Sequence, residues 1–138
     1  MDKLKGTKQR RSKPLVGAVA PRELAVYRAM AQHRWKRERQ RAEERRERAW
    51  EVARQAAQLL KEQFGAKRVV VFGSLVHKGC FTQWSDVDLA AWGLRPEATF
   101  RAMGAVMDLD AEIEVNLVDV AVCRPSLRTV IEREGIEV

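Results

Sequence analysis

The sequence predicts an α/β (α+β) protein: a small mixed sheet with helices packed on one side, preceded by one long helix. Three observations predict it. No Pro or Gly interrupts the chain from Pro21 to Phe64, whereas Gly65 follows at once, which marks one long helix, or two with a break near the middle, between an N-terminal Pro and a C-terminal Gly. Val69-Val70-Val71-Phe72 is a β-branched and aromatic run ending at Gly73-Ser74, as a strand buried on both faces requires. Beyond it, strand-like and helix-like segments alternate to the end of the chain.

The elements follow in order. Residues 1–20 mix Lys, Arg, Gly and Pro without periodicity and read as a basic flexible tail. The helix over 21–64 carries Leu24, Tyr27 and Met30 near one end and Trp50, Ala53, Ala57, Leu60 and Phe64 near the other. Those positions are expected to dock against the domain or a partner. Its centre, Lys36 to Arg48, is almost wholly charged and is expected to be a solvated helix supported by pairs such as Glu44 with Arg48. The compact domain then spans 65–138. Lys67–Phe72 is its first strand, Ser74–His77 a helical turn and Asp86–Trp92 its second strand. A helix opened by Pro96 carries Phe100, Met103, Val106 and Met107. Ala111–Val120 is the third strand, and a last helix opened by Pro125 carries Leu127, Val130 and Ile131 before Gly135.

Composition narrows the functional classes. The net charge of +7 is uneven: residues 1–13 and 21–64 each carry +5, and residues 65–138 carry −3. Basic character therefore belongs to the N-terminal third, where the tail is the better candidate for RNA contact. Glu38, Glu43, Glu44, Glu47 and Glu51 interrupt the helix and favour a solvated, partner-seeking face over a nucleic-acid face. No apolar run approaches the roughly 20 residues that span a bilayer, and the start lacks the apolar core of a signal peptide. Cys80 and Cys123 have no zinc-like spacing and read as reduced thiols of a cytoplasmic protein. His77 with Cys80 is too small a set for a metal.

The chemistry concentrates at two places. Gly73 lets the chain turn sharply and approach a ligand, and Ser74 begins a turn whose free N–H groups can face an anion. Asp86 and Asp88 flank Val87 on one strand, so they share a face and can hold one Mg²⁺ (or Mn²⁺) between them. A P-loop is excluded, because Lys78 precedes Gly79 and Cys80 follows it, which misplaces both the Lys and the hydroxyl. In Glu112-Ile113-Glu114-Val115-Asn116 the polar residues alternate with apolar ones, placing Glu112, Glu114 and Asn116 on a face that can lie beside the Asp pair. Trp84, just before the pair, reads either as a base-stacking residue or as a lid on the core.

Phe72-Gly73-Ser74, Ser85-Asp86-Val87-Asp88-Leu89 and Glu114-Val115-Asn116-Leu117-Val118 together resemble the nucleotidyltransferase superfamily that includes DNA polymerase beta. The nearest likeness is to the minimal nucleotidyltransferases, many of them antitoxin partners of HEPN-domain toxins. The resemblance covers roughly Ala66 to Val138 and implies a two-layer nucleotidyltransferase fold. It implies that Gly73 and Ser74 hold the triphosphate of ATP or another NTP, and that Asp86 and Asp88 hold the metal. NMP, by resemblance AMP, would pass to an acceptor hydroxyl, and the partner would be a HEPN-type toxin in a homo- or hetero-oligomer. Eleven residues separate Ser74 from Asp86, one more than is common in the family, a change a surface loop tolerates. The family's third carboxylate is matched by Asn116, which cannot take a proton. Glu114, two residues earlier, is the expected partial substitute. The alternative is a weakened or inactive interaction subunit of the same fold, associated with RNA.

Overall fold

Helix α1 (Pro21–Phe64) begins at Pro21 and ends at Gly65, whose φ of +74° is the left-handed turn that favours glycine. The computed structural model describes residues 19–138; the basic stretch over 1–18 lies outside the described residues. The chain divides into two units, Met1–Gln40 and Arg41–Val138. In the first, Leu24, Tyr27, Met30 and Trp35 are all exposed.

The second unit holds the sheet. Strands β1 (Arg68–Phe72), β2 (Val87–Trp92), β3 (Val115–Asp119) and β4 (Ile136–Glu137) lie in the order β3-β2-β1-β4. β1 is antiparallel to both β2 and β4, whereas β2 and β3 run parallel, as the expected mixed sheet requires. The parallel pair needs a crossover. It is supplied by a 3₁₀ turn at Pro96–Ala98 and helix α2 (Thr99–Met107). Helix α3 (Pro125–Glu134) leads from β3 to β4.

Alternation along the strands sends Val69, Val71, Val87, Leu89, Ala91, Val115 and Leu117 to one face. There they meet Ala49, Val52, Ala53, Ala56, Ala57 and Leu60 of α1 and Ala102 and Val106 of α2 in one core. The small α1 residues let the helix approach the sheet closely. On the other face Val70, Phe72 and Ala90 form a smaller cluster with Val120 and Ile131, flanked by Leu127. That cluster leaves the ends of β2 and β3 near Asp88 and Asn116 outside it.

Three features depart from the sequence expectation. The third strand starts at Val115, not Ala111, because Asp110 Oδ2 accepts hydrogen bonds from the Glu112 N–H (3.0 Å) and the Ile113 N–H (2.9 Å) and holds these residues in a turn. Arg48 pairs with Asp110 at 2.5 Å rather than with Glu44, since Asp110 is already fixed by backbone donors. The fourth strand, β4, has no counterpart in the sequence reading. It is secured by the Val138 N–H bond to the Val69 carbonyl (3.0 Å) and by Arg68 with Glu137 (2.8 Å).

Asp119, buried at the end of β3, accepts from the Ala121 N–H (3.1 Å) and from Thr99 Oγ1 (3.3 Å). It thereby ties the start of α2 to the turn after β3 and leaves no unpaired buried carboxylate. No helix among the described residues is long and apolar enough to cross a membrane.

Burial pushes the Asp110 carboxyl up, but the bonds from the Glu112 N–H, Arg48 and the Ile113 N–H outweigh it and hold it below its ordinary value of 3.8. A lowered folded value makes this stabilisation complete above pH 3.8 and removes it as the pH falls through the lower folded value. Asp110→Asn is therefore expected to destabilise the protein at neutral pH, with the difference from wild type closing under acid. Urea unfolding of both proteins across that range measures it.

Candidate functional site

The site begins where β1 ends. Phe72 passes directly into a 3₁₀ turn, Gly73–Val76, and Gly73 has φ +80°. A Cβ at Gly73 would stand 2.5 Å from Asp88 Oδ2, so only glycine admits both the left-handed backbone and the carboxylate beside it. The register explains the meeting: Phe72 pairs with Asp88 across the antiparallel ladder, and Asp88 pairs with Asn116 across the parallel one. Three strands thus deliver Gly73, Asp88 and Asn116 to one point.

Asp86 precedes β2, and the Val87 N–H bond to the Glu114 carbonyl (2.9 Å) continues the ladder to its level. Asn116 Nδ2 lies 3.4 Å from Asp86 Oδ2. Asp86, Asp88 and Asn116 are all half-buried. Burial raises the Asp88 carboxyl above its ordinary value, the Asn116 hydrogen bond lowers it, and the Asp86 charge raises it further. The net rise is mainly the cost of partial burial, to which the Asp86 charge adds; Asn116 offsets part of it by donating.

The remaining expected residues are placed as follows. Ser74 is half-buried in the turn beside Gly73, and Glu112 and Glu114 are exposed. No set of three His, Cys, Asp or Glu side chains that could hold a metal exists among the described residues. Cys80 and Cys123 are unpaired, and His77 Nε2 faces Glu134 at 2.7 Å rather than Cys80. Lys78 is exposed in the loop. Trp84 is 83% exposed and does not close the core; the neighbouring Phe81, at 4%, does.

Two carboxylates and an amide oxygen on one face suit a hard cation. Mg²⁺ takes one or two carboxylates and fills its other positions with water and phosphate oxygens. The raised Asp88 supports the fit, since a cation favours the ionised carboxylate that burial and the Asp86 charge disfavour. The donor set serves one ion; a second would lack a carboxylate.

Sequence reasoning missed Arg45. From α1 it donates to the Thr82 carbonyl through Nε (3.2 Å) and to the Ser85 carbonyl through Nη2 (3.2 Å), with its guanidinium 5.7 Å from the Phe81 ring centre. It fixes the loop that ends at Asp86. Its charged neighbourhood in sequence gave no signal, because an arginine that reaches a loop carbonyl looks the same as a solvated one.

No family model and no curated protein sequence matches the chain. Two solved chains share its fold, each from a crystal structure of a mutant form of the MntA–HpeT toxin–antitoxin. Both align with a TM-score of 0.51 over 62% of this chain, at 22% and 17% identity, and cover 69% and 70% of their own lengths.

The partly buried Asp88 carboxylate gives a direct expectation. In chelator at neutral pH, Asp88→Asn should raise Tm by roughly 3 °C. Because the folded value is raised, that gain is full above it and disappears as the pH falls toward 3.8. Gly73→Ala should cost about 1–2 kcal/mol from backbone strain alone. Thermal melts of the three proteins check both.

Proposed function

We propose that this chain is a nucleotidyltransferase of the minimal type, acting as the antitoxin of a toxin–antitoxin pair. The observation that carries the reading is the convergence of Gly73, Asp86, Asp88 and Asn116 at the ends of three strands. The shared fold with chains of the MntA–HpeT toxin–antitoxin supports the partner class. In this reading the Gly73–Ser74 backbone and the Ser74 hydroxyl bind the triphosphate of ATP or another NTP. Asp86 and Asp88, with the Asn116 amide oxygen once its side chain turns, hold Mg²⁺ or Mn²⁺. When bound, the ion polarises the phosphoryl oxygens and neutralises charge on the leaving group.

The acceptor is a hydroxyl, by analogy a tyrosine of the toxin. Its oxygen attacks the α-phosphorus, an O–P bond forms, and the bond to the bridging oxygen breaks to release pyrophosphate. The acceptor proton cannot go to Asn116, whose amide is no base near neutrality. We assign it to Glu114, which is exposed one ladder step beyond Asn116's neighbour Val115, with release to solvent. Asp86 and Asp88 would hold the cation and would take no proton while they do so.

A second reading rests on Asn116 itself: an amide in place of the third carboxylate leaves an interaction subunit that binds nucleotide without transfer. Incubation with α-labelled ATP and Mg²⁺ or Mn²⁺, alone and with a co-purifying partner, separates the two. The transferase reading expects label on the partner, loss of at least about 100-fold in Asp86→Ala/Asp88→Ala, and a higher rate in Asn116→Asp. Unchanged transfer in Glu114→Ala removes Glu114 from the mechanism. Absence of label from both wild type and Asn116→Asp, with partner binding intact, selects the interaction subunit.

A further inference from the structure

The loop between the Gly73 turn and Asp86 ends in a turn that is far more tightly held than a connection requires. The Thr82 N–H donates to Ser85 Oγ (2.9 Å), the Ser85 N–H to the Thr82 carbonyl (3.1 Å), and the Trp84 N–H to Thr82 Oγ1 (3.2 Å). Thr82 Oγ1 and Ser85 Oγ are themselves 3.2 Å apart. Arg45 then takes up the two outward carbonyls, of Thr82 and Ser85, and Phe81 anchors the turn in the core. Every part of this device is spent on residues 81–85, yet the largest side chain it carries, Trp84, is left 83% exposed.

An exposed indole in a rigid turn forgoes the burial that usually fixes tryptophan. Phe81 already closes the core beneath the loop, so the indole has no structural task there. A rigid aromatic with two side-chain torsions loses little entropy when a ligand covers it. Trp84 is two residues from Asp86, which keeps their Cα atoms within about 7 Å. A triphosphate held at Gly73, Asp86 and Asp88 therefore has its nucleoside within reach of the turn.

We propose that Trp84 is the stacking residue for the nucleobase, and that Arg45 is the positioning residue that holds its turn. The proposal rests on the nucleotide-binding reading above. The ligand class is a nucleoside triphosphate whose planar ring covers the indole. An indole face accepts every base, so Trp84 supplies affinity and little choice among bases. Arg45 touches no substrate; it acts by holding the turn that presents Trp84.

Calorimetric titration of the full chain, in Mg²⁺, with a non-hydrolysable α,β-methylene ATP analogue and separately with inorganic tripolyphosphate tests it. Trp84→Ala is expected to weaken the analogue by about tenfold and leave tripolyphosphate unchanged, whereas Trp84→Phe retains most of the affinity. Arg45→Gln should weaken the analogue as well, and the double variant should be no weaker than the stronger single effect. Equal analogue affinity in wild type and Trp84→Ala overturns the stacking role while leaving the nucleotide reading intact. Equal losses for analogue and tripolyphosphate make Trp84 a structural residue and overturn it too. Loss of a protein partner from Trp84→Ala with nucleotide affinity unchanged assigns the indole to docking instead. If wild type binds neither ligand, the nucleotide reading fails and the proposal fails with it.

Discussion

The close approach of the Asp88 carboxylate to Gly73 is the constraint on which the rest of the site depends. A carboxylate at a strand start ordinarily points to water. Here it lies where a side chain on residue 73 would be, half-buried against the turn. Two consequences follow from that one contact. The backbone of the turn and the metal-type oxygens come to the same place, so a phosphate chain and its cation can be held together. Asp88 also becomes costly to ionise beside Asp86. The site is thus built with an electrostatic deficit that Asn116 only partly offsets, and a cation would remove it.

The portion of α1 from Arg41 onward serves this site from the opposite face of the sheet. Its small apolar residues, Ala49, Ala53, Ala56 and Ala57, share one core with the inward residues of β1, β2 and β3. Its arginines reach the loops that precede two of those strands. Arg48 secures the Asp110 turn before β3, and Arg45 secures the Thr82–Ser85 turn before β2. Both parallel strands are therefore held at their entry points by the same helix. The charged stretch that looks like surplus solubility in sequence is, in this segment, a clamp on the two loops that lead into the site.

Much of the architecture was legible because it rests on local signals. Pro21 and Gly65 bound the long helix without any knowledge of its packing, and the Val69–Phe72 run can only be a buried strand. Asp86-Val87-Asp88 declares a shared face through the strand period alone. Other features were hidden because they depend on partners distant in sequence. Ile136–Glu137 is too short and too polar to read as a strand until β1 offers an unpaired edge. The onset of β3 was misplaced because Asp110 captures the next amides, and alternation of Glu112 with Ile113 imitates a strand in that turn. Trp84 was ambiguous because its fate depends on Phe81 filling the core first.

The most direct test of the central claim is a titration of metal-free protein with Mn²⁺ followed by electron paramagnetic resonance, with and without ATP. The account predicts one Mn²⁺ per chain, bound more tightly when ATP is present, and loss of that binding in Asp86→Asn/Asp88→Asn. Mn²⁺ binding that survives the double substitution, or that is indifferent to ATP, would contradict a shared cation and phosphate site at the ends of β1, β2 and β3.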